Sequence, residues 1–246
     1  MISKIKFHNI KFLNISEKDF PKIIKKKGLF LFPSGPGLSD LDRKPKYFKA
    51  LCNADFNFLD SGFFVILLKL IKNIKVNKFS GYKFFKLYTD FLKKNKKLNI
   101  LSINPNYISS KYNISFFYKL GFKKNKVIHY NAPIYNTSFI KDKKLLKLIN
   151  KIKPDHILIN LGGNTQEILG WYIKSNIRYN PSIFCTGAAI SFLTKEQAPI
   201  NDFIDSINLT WLIRILYKPN IFFPRYLSAF KLFLLVIRNK VEIIKK

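Results

Sequence analysis

Residues 156–171, HILINLGGNTQEILGW, read as a strand almost free of charge, a Gly-Gly turn and the opening of a helix. A strand with no polar face is covered by protein on both sides, as strands of parallel sheets are. The unit fits a strand at 156–161 and a helix at 164–178. Outward from it the alternation repeats. Strands are expected at 28–32 (GLFLF), 55–59 (DFNFL), 98–103 (LNILSI), 126–129 (KVIH) and 182–185 (SIFC). Helical stretches are expected near 16–27, 40–52, 62–73, 82–95 and 138–153. Short apolar strands alternating with longer helices predict an α/β fold: a Rossmann-like, mainly parallel sheet flanked by helices. In such sheets ligands bind outside the carboxyl ends of the strands, so the strand-to-helix loops carry the expectations about function.

The chain has 246 residues, 48% of them hydrophobic and 24% charged, which is a globular composition rather than a disordered one. Cys52 and Cys185 form no metal or redox spacing and read as small buried side chains in a reducing compartment. The start, MISKIKFHNIKF, lacks the continuous apolar core of a secretory signal. FFVILLKLI and LFLLVI fall short of the roughly 20 apolar residues of a spanning helix. These readings predict a cytoplasmic protein. The formal charge of +30 points to polyanionic partners. Most of it is lysine, however, in a chain also rich in Asn, Ile and Phe, a pattern that AT-rich codon usage gives without functional demand. The five arginines say more, because only Arg offers a planar bidentate fork for phosphate. Arg214, Arg225 and Arg238 all fall in the last 40 residues.

Three loops stand out. After 55–59, FNFLDSGFF ends a strand in a single carboxylate, Asp60, in a chain with 14 acids against 44 Lys and Arg. Asp60 is either a helix cap or the group that does the chemistry, and Asp55, at the other end of the strand, is the rival acid. After 28–32, FPSGPGLSDLD holds Ser34, Gly35 and the pair Asp40 and Asp42. A DxD pair can hold a divalent metal, but Ser39 and Asp40 also suit caps of the following helix, which is the reading preferred here. After 156–161, Gly162 and Gly163 with Gln166 and Glu167 place free amides and close backbone at a helix start, an arrangement that can hold a diphosphate. A Gly pair also arises for local steric reasons, and Glu167 also suits the helix dipole. His8, His129 and His156 have no ligand spacing, so no metal site is expected.

Residues 207–246 hold eight Lys or Arg, one acid and seven aromatics. Read as one helix, 226–246 puts Lys231, Arg238, Glu242 and Lys245 in a single charged stripe on an apolar body. That suits an anionic membrane surface, or equally packing on the core or on a second subunit. Residues 1–205 are thus expected to form the α/β domain and 206–246 a basic, aromatic, helical membrane-associating appendage.

Over roughly residues 5–230 the chain resembles the WecG/TagA/CpsF glycosyltransferases. INLGGNTQEILGW resembles the family's Gly-x-Gly-x-Pro-Lys-Gln-Glu-x-Trp block, and QAPINDFIDSINLTWLIRILYKPNIFFPRYL its later Arg-Ala-Pro, Leu-Glu-Trp and Arg-Tyr blocks. NADFNFLDSG resembles Ala-Asp…Pro-Asp-Gly, and KFSG at 78–81 resembles Arg-Val-x-Gly. The resemblance implies an inverting, metal-independent enzyme without a cofactor. It would move an N-acetylmannosamine-like sugar from a UDP-sugar to an undecaprenyl-diphosphate-linked acceptor, peripherally on the inner face of the cell membrane. It implies Asp60 as base, with Ser34, Gly35, Gly81, Gly162, Gly163, Gln166, Arg214 and Arg225 around the substrates. Departures are Leu59 and Ser61 around Asp60, Gln197 in place of the Arg of Arg-Ala-Pro, Ile221 at a family arginine, and no Phe-Asp near 187–193. The competing class is a basic Rossmann-like protein that binds or modifies RNA; no RNA-binding module is recognisable in the chain. A homo-oligomer is allowed but not specified.

Overall fold

The computed structural model describes residues 2–187, 189–194, 201–207 and 210–244. Nine strands form one sheet: β1 (Ser3–Phe7), β2 (Ile10–Asn14), β3 (Gly28–Leu31), β4 (Phe56–Phe58), β5 (Ile100–Asn104), β6 (Val127–Asn131), β7 (His156–Ile159), β8 (Ser182–Cys185) and β9 (Val241–Ile244). Their order is β6-β5-β7-β8-β3-β4-β2-β1-β9. Pairing from β6 through β2 is parallel throughout, and β1 is antiparallel to both β2 and β9. The six expected strands form the contiguous parallel run from the edge strand β6 to β4.

Alternation along each strand supplies two cores. On one face Leu29, Leu31, Leu101, Ile103, Ile157 and Ile183 meet the helices Pro45–Cys52, Gly62–Lys72, Lys143–Ile152 and Thr165–Asn176. On the other, Phe30, Ile100, Leu158 and Phe184 meet Phe20–Ile23 and Gly81–Lys94. The second core is aromatic: Phe184 lies 4.7 Å from Phe30 and 5.1 Å from Phe84, ring centre to ring centre. Such pairs add about 0.5–1.5 kcal/mol each beyond the burial of their area.

Several expectations need correction. The hairpin β1–β2 turns at His8 and Asn9, both with positive φ (47° and 64°), a turn whose twist matches its strands. A helix at Tyr107–Lys119 lies between β5 and β6. The stretch 16–27 is a 3-10 turn, Glu17–Asp19, followed by the short helix Phe20–Ile23. Cys52 is exposed, because it ends its helix at the surface, whereas Cys185 is buried in β8. Neither acid of the DxD pair serves as a side-chain cap. Asp40 pairs with Lys44 at 3.1 Å and Asp42 lies 3.2 Å from His8 Nε2, while Ser39 donates to the Pro36 carbonyl.

At the C-terminal end, helices Thr210–Tyr217, Pro219–Ala229 and Lys231–Arg238 precede β9. The helix ends at Arg238, so the single charged stripe does not form. Glu242 lies in β9, opposite Lys6 of β1, and Lys245 is outside the described residues. Contrary to the sequence expectation, Pro219–Arg238 is long and apolar enough to cross a membrane by length and composition. Phe222, Ala229, Leu232 and Val236 face inward, and Ile221, Phe223, Leu227, Phe230, Phe233 and Ile237 are exposed.

Candidate active site

The site starts at the carboxyl ends of β3 and β4. Leaving β3, the chain turns into the helix Gly35–Leu38, whose N-cap is Ser34: its Oγ accepts from Gly37 N at 3.4 Å. Leaving β4, Ser61 caps the helix Gly62–Lys72 by accepting from Phe64 N at 3.2 Å. Ser61 therefore relieves Asp60 of the capping role that the sequence allowed it. Asp60 instead accepts from the backbone N–H of Gly81, Oδ1 to N 2.7 Å. Gly81 opens the helix Gly81–Lys94, and a Cβ there would come within 3.3 Å of the Thr186 carbonyl and 3.8 Å of Asp60 Oδ1. Asp55, the rival acid, sits at the opposite end of β4, where it accepts from Leu29 N at 2.7 Å and Lys174 Nζ at 2.6 Å.

A cavity of about 240 Å³ opens over Asp60. Its floor is Ser34, Gly35, Asp60 and Gly81, and its roof comes from the C-terminal segment, with Trp211, Arg214, Tyr226 and Phe230 prominent. Five of the nine expected site residues, Ser34, Gly35, Asp60, Gly81 and Arg214, therefore line one space. Gly162, Gly163, Gln166 and Arg225 stand outside that lining. The Gly-Gly turn is adjacent, since a Cβ on Gly163 would lie 3.7 Å from Ser34 Oγ, and Gly162 faces open space. Gln166 is buried, and its Oε1 accepts from Gly187 N at 2.6 Å. It thereby fixes the turn after β8, which carries Thr186, a cavity residue whose buried hydroxyl has no partner among the described residues. Arg225 is exposed, 6.0 Å from the Phe222 ring. Gln197 lies outside the described residues.

Burial pushes the Asp60 carboxyl up to about 6, against the pull of the Gly81 N–H, Lys78 and Arg214; Asp205 adds to the rise. A carboxyl titrating there ionises near neutrality and holds a proton more tightly than an exposed one, the property of a usable base. Burial also lifts Glu167 to about 7, and its Oε2 has no partner among the described residues. The Arg214 guanidinium stacks 4.3 Å from the Phe222 ring centre and donates from Nη1 to Tyr226 OH at 3.4 Å. Its Nε is buried with no partner among the described residues, a donor left for an anion.

Sequence reading missed Lys78, Asp205, Trp211 and Tyr226. Lys78 is one lysine among dozens and nothing local marks it, whereas the burial of its side chain, 10% exposed, does. Among the described residues no group of three or more His, Cys, Asp or Glu is placed to hold a metal ion.

The family model described as "Glycosyl transferase WecG/TagA/CpsF family" matches residues 4–246. No curated protein matches the chain. A family match over nearly the whole chain, on an α/β fold with a mainly parallel sheet, settles the membership: the chain belongs to the WecG/TagA/CpsF family of glycosyltransferases, which act in cell-surface polysaccharide biosynthesis.

Proposed function

We propose that the protein is an inverting transferase that moves an N-acetylhexosamine-type sugar, N-acetylmannosamine-like, from a UDP-sugar to an undecaprenyl-diphosphate-linked sugar. The observation that carries this reading is the carboxylate of Asp60 on the floor of an aromatic cavity whose roof supplies Arg214, the other acid of the lining, Asp205, being paired with Lys78. The acceptor hydroxyl gives its proton to Asp60 while its oxygen bonds to the anomeric carbon. The bond from that carbon to the diphosphate oxygen breaks, and the electron pair leaves with UDP. Arg214 takes the charge that develops on the diphosphate, a term that counts most in a dry site. Ser34 and Gly35 position the donor sugar. The Gly162–Gly163 turn and Gln166 support the diphosphate side, and Arg225 attracts it from the rim. No step calls for a metal.

The apolar, cationic face of Pro219–Arg238 brings the site to its lipid-borne acceptor at the inner surface of the cell membrane. Exposed Phe223, Leu227 and Phe230 also reach the cavity lining, so the lipid-facing and sugar-facing surfaces are continuous. The test is UDP release with a panel of UDP-N-acetylhexosamines and a short-chain prenyl-diphosphate-linked N-acetylglucosamine. Asp60→Asn is expected to lower the rate by about 10²–10⁴. A variant as active as the parent would end the assignment.

A further inference from the structure

One buried ion pair joins the two halves of the cavity. Asp205, on the short helix Asp202–Ser206, is 3% exposed. Lys78 Nζ donates to Asp205 Oδ1 and to its backbone carbonyl, each at 2.7 Å. Ser80 Oγ donates to Oδ2 at 2.8 Å, and Thr210 Oγ1 to Oδ1 at 3.3 Å. Both oxygens of the carboxylate are thus engaged, and its three donors, Lys78, Ser80 and Thr210, all line the cavity. Ser80 is the N-cap of Gly81–Lys94, accepting from Lys83 N at 3.1 Å, and the next residue, Gly81, holds Asp60. A continuous run of bonds therefore leads from the C-terminal segment to Asp60. Buried ion pairs contribute little net stability compared with well-packed apolar residues. A pair set in the wall of this cavity therefore invites another role.

We propose that Asp205 is a positioning residue for Asp60: it holds the 78–81 loop that aims the base and neutralises Lys78, tying the strength of the base to the seating of the C-terminal segment. The proposal rests on the reading of Asp60 as base. The groups facing Asp60 are the Gly81 N–H, Lys78, Asp205 and Arg214, together with Glu167 and the Tyr47 phenol across the cavity floor, both of which feel its charge. Lys78 favours the carboxylate and Asp205 opposes it. With Asp205 gone, Lys78 is an uncompensated cation beside Asp60 and makes it a weaker base. With Lys78 gone, Asp205 is an uncompensated anion and makes Asp60 harder to ionise.

The experiment follows the Asp60 carboxyl by NMR in the full chain labelled with 13C at the aspartate carboxyls, with Asp60→Asn to assign the signal. Asp205→Asn, close to isosteric, is expected to move the Asp60 titration to lower pH by about one unit, and Lys78→Met to move it higher by a similar amount. The double variant is expected to fall between them. The acid limb of kcat moves with each. Shifts of one sign in both variants, or none, would overturn the proposal and leave the pair a structural clip that alters only the melting temperature. If Lys78→Met does not fold, the direction of the Asp205→Asn shift decides alone. Asp60→Asn that keeps turnover would end the base assignment but not the titration result, so the two failures are distinguishable.

Discussion

Gly81 N–H donates to Asp60 Oδ1 across 2.7 Å, so a backbone group, not a side chain, aims the acid of the site. That bond stabilises the ionised form, and burial opposes it more strongly, leaving the carboxyl at about 6. A base must be ionised to accept a proton. Turnover is therefore expected to be full at pH 7.5 and to fall about tenfold per unit well below pH 6. Initial rates of UDP release from pH 5 to 8 check this; a flat profile would contradict it.

Glu167 gives a stability prediction. Burial raises its folded carboxyl from 4.5 to about 7, above the unfolded value. A raised acid contributes stability that is fully present below its unfolded pKa and is lost as pH rises through the folded one. The parent is expected to lose melting temperature between about pH 4.5 and 7 more steeply than Glu167→Gln, whose amide never ionises. Thermal melts of both proteins across that range decide it, and parallel curves would refute the burial argument.

Gly170 sits in the helix Thr165–Asn176 where a Cβ would come within 2.7 Å of Cys185 Sγ and 2.8 Å of Leu29 Cδ1, both buried. Alanine favours a helix over glycine by about 1 kcal/mol, whereas overpacking a core costs about 1–3 kcal/mol. Gly170→Ala is expected to lower the melting temperature. Adding Cys185→Ala, which removes the closest clash, is expected to restore part of it. Urea unfolding of the single and double variants measures the coupling, and simple additivity would argue against contact.

Phe223, Leu227 and Phe230 are each more than half exposed. Replacing all three by Ser is expected to weaken co-sedimentation with anionic vesicles by at least about tenfold, given the apolar area withdrawn from lipid. The circular dichroism of the variant is expected to be unchanged. Undiminished binding would locate the membrane surface elsewhere.

The centre of the sheet was legible because fully covered strands carry their signal locally: GLFLF, LNILSI and SIFC admit hardly another reading. The β9 edge was not. β9 follows a helix and owes its form to β1, more than 230 residues earlier, a partner that no window of sequence contains. The helix Tyr107–Lys119 escaped notice because its inner face is polar. Asn104, at the end of β5, donates to Ser110 at 2.9 Å and accepts from Asn113 at 2.7 Å, so the usual apolar stripe is missing. In the site, Asp60 and Arg214 were readable because acids and arginines are rare in this chain. Lys78 and Asp205 were hidden for the opposite reasons: lysine is everywhere, and Asp205 acquires its meaning only when the segment folds back over β4.

The antiparallel bonds between β1 and β9 place a clasp beyond the greasy helices. Both flanks of 219–238 are anchored to the same body, so this stretch cannot thread a bilayer and leave one flank on the far side without unzipping the sheet's rim. On the proposed reading it therefore meets the bilayer from one side, within a single leaflet, rather than across it.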